Sequence, residues 1–534
     1  MASNIRFGWQ QAWLGFFALL YLVGCLVLVN RANLYVSPDE TANRYFIEQF
    51  ADTFSLKGEQ HALMQEFDRL HPRSTLIVDG QVVPGSFLGL PFLYGVMAFI
   101  FGSWILWILT PALTLLAAHA WRRMTAMFFG ESVGNIAFVL FLLHPAVWYY
   151  SSRGLMHNML FFDVLVMSIW FWLSRPLGQK NATPSIWNEL LSGLCLGLAL
   201  FVRTSEVIWI VVILFAAAII WWRSISWRRT RAFLFGLAVG IFCLLFWNTV
   251  VYGGPFVTGY TINTPIPAVT ELSLSDSVDA LNVLPFGIHP KSMWVHFSSY
   301  GVSMFWWLSL LALPGVFLFI FQKSYKRTLR SMMVLGSVIA LWLVTMYGSW
   351  EIHDNPDPTQ ITMANSYVRY WLPMYVCTTP LIALTIHWLR SRGQSHFSQG
   401  LIVATLLIAV VGFNLNAVFL QGQDGLFRVK DDLEYSATIQ ASVLRYTEPD
   451  SVIIVDHADK IFFPHRLVWY LLRDEETYEA MPKLVEQTGL YYYGITFPQD
   501  DMDYLNGFKL KQAGLKIELV ETYRLESLYR ISKP

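Results

Sequence analysis

Apolar runs of about twenty residues recur along most of the chain, near 12–29, 103–121, 132–150, 159–174, 187–203, 206–222, 232–251, 299–321, 331–348, 368–388 and 399–419, with short polar or basic stretches between them. A hydrocarbon core of roughly 30 Å takes about 20 helical residues to cross. The pattern therefore predicts a polytopic α-helical membrane protein with eleven transmembrane helices. One further run, "FLGLPFLYGVMAFIF" at 87–101, is only fifteen residues long, contains Pro91 and stops at Gly102. It predicts a re-entrant or juxtamembrane helix that does not cross.

Beyond residue 419 no run is long enough to span, and charges and tyrosines return. "SVIIVDH" (451–457), "LYYYGITF" (490–497), "KIELVETY" (516–523) and "SLYRISK" (527–533) read as short strands, while "DLEYSATIQASVLRY" and "EETYEAMPKLVEQTG" have the periodicity of amphipathic helices. The expected organisation is a transmembrane domain over 1–419, with a long first external loop at about 30–102, and a small extracytoplasmic α/β domain over 420–534, which carries no nucleophile elbow or metal signature and is expected to be accessory.

The basic residues orient this plan. With 87–101 not crossing, Arg6, Arg122 and Arg123, Arg175 and Lys180, the cluster Arg223, Arg228, Arg229 and Arg231, the cluster Lys323, Lys326, Arg327 and Arg330, and the pair Arg390 and Arg392 all share one side. The positive-inside rule makes that side cytoplasmic. The N-terminus is then cytoplasmic, and the loops 30–102, 151–158, 252–298 and 349–367 and the whole tail are external. The cytoplasmic loops carry no P-loop and no strand-associated G-x-G-x-x-G, so the expected chemistry is external and draws on no cytosolic nucleotide. The "NAT" sequon at 181–183 falls on the inner side and is taken as chance.

Composition agrees with the pattern: of 534 residues 55% are hydrophobic and 14% charged, too apolar for an ordinary soluble protein. A formal net charge of zero gives no sign of a nucleic-acid partner. Cys25, Cys195, Cys243 and Cys377 all lie in apolar runs with no CxxC spacing, which indicates neither a disulfide framework nor a zinc site. "LVGC" at 22–25 has the look of a lipoprotein cleavage box, but the apolar run continues past Cys25, as an uncleaved first span would.

The acidic pair Asp39 and Glu40 in "LYVSPDETANRYFIEQFADT" stands just outside the first span. The plain reading is a helix start, with Ser37 or Asp39 as cap and negative charge favouring the helix N-terminus. The loop runs on through "VVPGSFLGLPF" back to the membrane surface, which holds the pair at the lipid–water boundary. A carboxylate at that depth suits a substrate that is itself half lipid.

"SPDETANRYFIEQFA", "PGSFLGLPFLYGVMAFIFG", "LSGLCLGLALFVRTSEV", "FWNTVVYGGPFVTGY" and "SYVRYWLPMYV", in this order and spacing over about 10–420, resemble the GT-C membrane glycosyltransferases, in particular the branch of protein O-mannosyltransferases and the aminoarabinose transferase of lipid A. The resemblance implies transfer of a sugar from a polyprenyl-phosphate donor, on the extracytoplasmic face of the inner cell membrane, to a lipid, glycan or protein acceptor. It maps the family's acidic motif onto Asp39, the candidate general base, and Glu40, which would orient the acceptor or hold the loop. An acceptor hydroxyl or amine must lose a proton as it attacks the anomeric carbon, and a carboxylate within reach takes it. The lipid phosphate leaves as a stable anion and calls for positive charge. Arg153, Arg203 and Arg369, with His157, are the candidates for it, against a plain reading as interfacial anchors.

The chain departs from the family at Asn158, where many relatives carry an acidic residue, and Asp163 follows five residues later in an apolar run. Asn158 can bond a sugar or phosphate but supplies no charge to a divalent cation. A metal-independent enzyme with no cofactor is expected, and Asp163 is expected to be a buried contact between helices. A polytopic transporter or a non-catalytic membrane scaffold are the alternatives, and within the enzyme class a polymerase or ligase that moves whole glycans.

Overall fold

The computed structural model describes residues 2–30, 32–174, 186–221, 226–262, 286–322, 327–352, 354 and 360–534. Arg175, Lys180, the 181–183 sequon, Arg223, Lys323 and Lys326 lie outside the described residues.

Among the described residues each of the eleven apolar stretches is mainly helical. Six helices among the described residues are long and apolar enough to cross a membrane, Gln11–Leu28, Ser103–Phe129, Trp227–Tyr252, Leu329–Gly348, Leu372–Arg390 and His396–Leu420. Three bent pairs bring the number to nine if each is one span: Glu131–Leu143 with Pro145–Ser152 (49°), Ile186–Val202 with Thr204–Ile220 (116°), and Pro290–Ser303 with Trp306–Phe321 (92°). The expected eleven is larger for two reasons. It counts the two arms that meet at Arg203 separately, and it includes His157–Leu173, a helix of 17 residues. The helix Gly89–Phe101 has 13 residues, a length of about 20 Å against a hydrocarbon core of roughly 30 Å.

The chain forms two compact units, each discontinuous in sequence. One comprises Met1–Leu28, Trp107–Leu244 and Pro265–Arg428. The other comprises Val29–Leu106, Leu245–Thr264 and Val429–Pro534.

Close helix packing in the first unit rests on glycine. Gly193 and Gly197 on Ile186–Val202 face Gly236 and Gly240 on Trp227–Tyr252, two small-xxx-small pairs in register. A Cβ on Gly193 would stand 1.9 Å from the Phe233 carbonyl oxygen, and one on Gly236 would stand 2.1 Å from that of Leu190. Only glycine lets the two backbones approach so closely in an apolar solvent, where dispersion is the main attraction.

The second unit contains a two-stranded hairpin, β1 (Thr75–Val78) and β2 (Gln81–Pro84), and a five-stranded sheet of order β4-β3-β5-β7-β6. The hairpin turns at Asp79 and Gly80, with φ of 53° and 73°. Asp-Gly is the sequence signal for such a turn. In the sheet, β3 (Val452–Val455), β5 (Leu490–Ile495), β6 (Lys516–Tyr523) and β7 (Glu526–Ser532) match the four strands expected in the tail. β4 (Leu467–Tyr470), four residues long, is an addition. β3 lies parallel to β4 and β5, and β7 is antiparallel to β5 and β6. Central strand β5 is buried on both faces, so its tyrosines need internal partners: Tyr491, Tyr492 and Tyr493 donate to Glu448, Asp456 and Glu526 at 2.8, 2.8 and 2.6 Å.

Candidate functional site

Within the second unit, "SPDETANRYFIEQFADT" forms the helix Pro38–Thr53. Ser37 is its N-cap: the Ser37 hydroxyl accepts from the Glu40 amide, and the Glu40 carboxylate accepts from the Ser37 amide at 3.0 Å, closing a capping box. Pro38 opens the first turn, where a missing N–H costs nothing. Phe46, Ile47 and Phe50 bury the inner face, and Phe50 packs against Phe92 with ring centroids 5.2 Å apart. The two expected carboxylates therefore diverge. Glu40 is 1% exposed and is engaged by the helix start, whereas Asp39 is half-buried and accepts a hydrogen bond from the Ser74 hydroxyl at 2.5 Å.

Ser74 adopts φ of 65°, a left-handed conformation uncommon for a residue other than glycine. Its carbonyl accepts from the Gly85 amide at 3.0 Å, and a Cβ on Gly85 would stand 2.9 Å from the Ser74 carbonyl carbon. The "PGSF" stretch is in turn held by the Tyr252 hydroxyl, which donates to the Pro84 and Ser86 carbonyls at 2.7 and 2.9 Å. Two of the stretches that carried the resemblance thus meet here. On the other side of Ser74, the Arg73 guanidinium is bonded to Asp459. Burial lowers the Arg73 pKa, but Asp459, Tyr470 and Asp39 together leave it above its ordinary value.

In the first unit the expected arginines gather around tyrosines. Arg153 closes the helix Pro145–Ser152 and lies over the rings of Tyr149 and Tyr150, 5.8 and 5.6 Å from their centroids. The Tyr150 hydroxyl donates to the carbonyls of Met363, Ala364 and Asn365, the turn that leads into the short helix Ser366–Tyr370. Arg369 stands on that helix, over Tyr370 at 5.3 Å, and both Arg153 and Arg369 act electrostatically on the Tyr150 hydroxyl. Asn158 Nδ2 donates to the Arg369 carbonyl at 3.5 Å.

Arg203 lies over the same Tyr370 ring at 5.1 Å, which makes Tyr370 common to two of the three arginines. Its charge is matched inside the protein. Arg203 Nε and a terminal nitrogen donate to Glu206 at 3.0 and 2.6 Å, and Glu206 also accepts from the Tyr347 hydroxyl at 2.7 Å and the Trp209 indole. Arg203 and Glu206 are 7% and 4% exposed. Sequence reasoning missed Glu206, although it stands three residues after Arg203 in "RTSE".

Asp163 is fully buried on His157–Leu173 and accepts from Thr114 at 2.6 Å, and Ser151 donates to Thr114 at 3.3 Å. It belongs to an interhelical polar chain. His157 is buried at the start of the same helix. Among the described residues no group of three or more His, Cys, Asp or Glu side chains could hold a metal ion.

Comparison with solved structures matches nearly the whole chain to one architecture. ArnT from Cupriavidus metallidurans bound to undecaprenyl phosphate aligns over 97% of this chain and 98% of its own at a TM-score of 0.54, and its apo form at 0.56. This chain has the fold of ArnT. Identity to ArnT is 12%, so the likeness is one of fold. The archaeal oligosaccharyltransferase AglB from Archaeoglobus fulgidus, in complex with an inhibitory peptide and a dolichol-phosphate, aligns over 93% of this chain and 70% of its own, with 10% identity and a TM-score of 0.52. ArnT and AglB are both GT-C proteins, the group that the sequence motifs resemble. A scan against models of protein families finds no match, and neither does a search of curated proteins.

Proposed function

We propose that the protein is a GT-C membrane glycosyltransferase that moves a sugar from a polyprenyl-phosphate donor to an acceptor on the extracytoplasmic face of the inner membrane. The observation that carries this reading is the fold shared with ArnT, which was captured with undecaprenyl phosphate, over 97% of the chain. The charge that each unit carries by itself supports it. One unit holds a half-buried carboxylate oriented by a hydroxyl, and the other holds guanidinium groups gathered on aromatic faces.

In the transfer, an acceptor oxygen or nitrogen attacks the anomeric carbon. The bond to the phosphate oxygen breaks, its electron pair leaves on the phosphate, and the acceptor proton passes to Asp39. Ser74 donates to the ionised form of Asp39 and holds the carboxylate in place for the proton transfer. Arg153 and Arg369 neutralise the departing phosphate, and Asn158 steadies the turn of backbone that carries Arg369. Arg203, matched by Glu206, presents the Tyr370 ring beside Arg369. No metal ion takes part in this scheme, and the N-terminus is cytoplasmic with the tail outside.

The test is single-turnover sugar transfer from a polyprenyl-phosphate donor by purified protein. Transfer by the wild type and its loss in Asp39→Asn is the expected result. Donor uptake without transfer would point to a transporter and overturn the reading.

A further inference from the structure

The five-stranded sheet of the tail has no part in the chemistry above, yet its architecture is of a kind that binds ligands. In open α/β sheets the ligand lodges outside the carboxyl ends of the parallel strands. Here the chain's own first loop occupies that place. β3 ends at Val455, and just beyond it the His457 carbonyl accepts from Arg73 at 3.0 Å. Asp459, fully buried, accepts from the Arg73 guanidinium at 2.6 Å and from the Arg73 amide at 2.9 Å. The guanidinium also lies 5.2 Å from the ring centroid of Tyr470, the last residue of β4.

Arg73 precedes Ser74, whose hydroxyl bonds Asp39. The residue after Asp459 acts on the other flank: Lys460 Nζ donates to the carbonyl of Val36, the residue before the helix cap. Two consecutive side chains on the four-residue helix Asp459–Phe462 therefore hold both approaches to Asp39. Tyr45, on the helix that Asp39 opens, adds a ring contact to Phe463 at 4.9 Å.

We propose that the C-terminal α/β domain is the receptor for the first loop, and that Asp459 and Lys460 are positioning residues for the Asp39 carboxylate. The catalytic part of this inference rests on the reading of Asp39 as general base. The latch itself does not. Asp459 fixes the Arg73 amide and guanidinium, which holds Ser74 in its left-handed conformation with the hydroxyl aimed at Asp39. A hydrogen bond to the ionised form of a carboxylate favours that form, so loosening the latch removes that support from Asp39.

The experiment compares full-length wild type with Asp459→Asn and, as a milder change at a half-buried site, Lys460→Met. Amide hydrogen exchange should quicken at residues 39–41 and 74–75 in both variants, while protection of β3 and β5 stays at the wild-type level. In sugar transfer, kcat should fall about tenfold with the donor KM unchanged, and the acid limb of the pH profile should move to higher pH. Lost packing alone would lower the active fraction and leave that limb in place. Wild-type exchange at 39–41 and 74–75 in both variants overturns the latch. Faster exchange with an unmoved acid limb overturns the positioning role. If the wild-type protein transfers no sugar, the functional reading falls, and the exchange measurement still decides the latch.

Discussion

The start of the Pro38–Thr53 helix and the Arg203 corner both place charge where a helix begins or breaks, and they handle it in opposite ways. Arg203 is 7% exposed and meets a carboxylate, a phenol and an aromatic face within its own unit. Asp39 is half-buried and accepts a hydrogen bond from the neutral Ser74 hydroxyl. A buried charge with a counter-charge in contact belongs to the fold, because removing one partner strands the other in low dielectric. A half-exposed carboxylate held by a hydroxyl stays within reach of a substrate, and its loss weighs on chemistry. Glu40 makes the same point one residue away: it closes the capping box and so belongs with Arg203 in kind.

The largest effect expected from this contrast is on turnover. Asp39→Asn should lower single-turnover transfer by a factor on the order of 10² to 10⁴. The helix cap is Ser37, so the variant should extract and melt nearly as wild type does. A variant that transfers at the wild-type rate would make Asp39 a helix-terminal charge and erase the contrast.

Arg203→Gln should act in the reverse sense, leaving Glu206 buried without its counter-charge at a cost of about 3–5 kcal/mol in stability. Arg369→Gln should instead weaken donor binding in protein that elutes normally from size exclusion. Thermal unfolding in detergent and donor titration separate the two. A wild-type melt for Arg203→Gln would remove the structural assignment.

Glu40→Ala should cost about 1 kcal/mol of stability through the lost half of the capping box, with kcat changing little among folded molecules. Glu40→Gln should be milder still, because a glutamine at this position serves the same box. A fall in kcat for Glu40→Gln as large as that for Asp39→Asn would mean that the two carboxylates share the chemistry.

The smallest effect concerns pH. Burial lowers the pKa of His71 from its ordinary value of 6.5, and its Nδ1 is 2.9 Å from the Pro72 carbonyl oxygen. The unfolded chain therefore binds the proton more readily than the folded one. This contribution to stability is intact above about pH 6.5 and is lost as pH falls below it. Melting temperatures between pH 7.5 and 5.5 should decline, and His71→Gln should flatten that decline. An equal slope in the variant would assign the acid sensitivity to other groups.

The helical stretches were legible because their signal is local: a run of apolar residues states its own length, and a stop such as Gly102 states where it ends. The same holds for the Ser37–Glu40 spacing and for the strands β3, β5, β6 and β7. The hairpin β1–β2 was legible in principle at Asp79-Gly80, and β4 was too short to announce itself. How many stretches cross as separate spans was not legible, since a 116° bend at Arg203 does not appear in hydropathy.

The sequence by itself determined which segments are helical, where the Asp39 helix begins, and that the tail combines short strands with amphipathic helices, all of them consequences of residues within a few positions of one another. Only the tertiary structure decided which charges meet. Ser74 reaches Asp39 across 35 positions, Tyr347 reaches Arg203 across 144, and Asp459 reaches Arg73 across 386. A pair bond of that kind is made by chain closure, and neither partner carries a mark of the other in a single sequence.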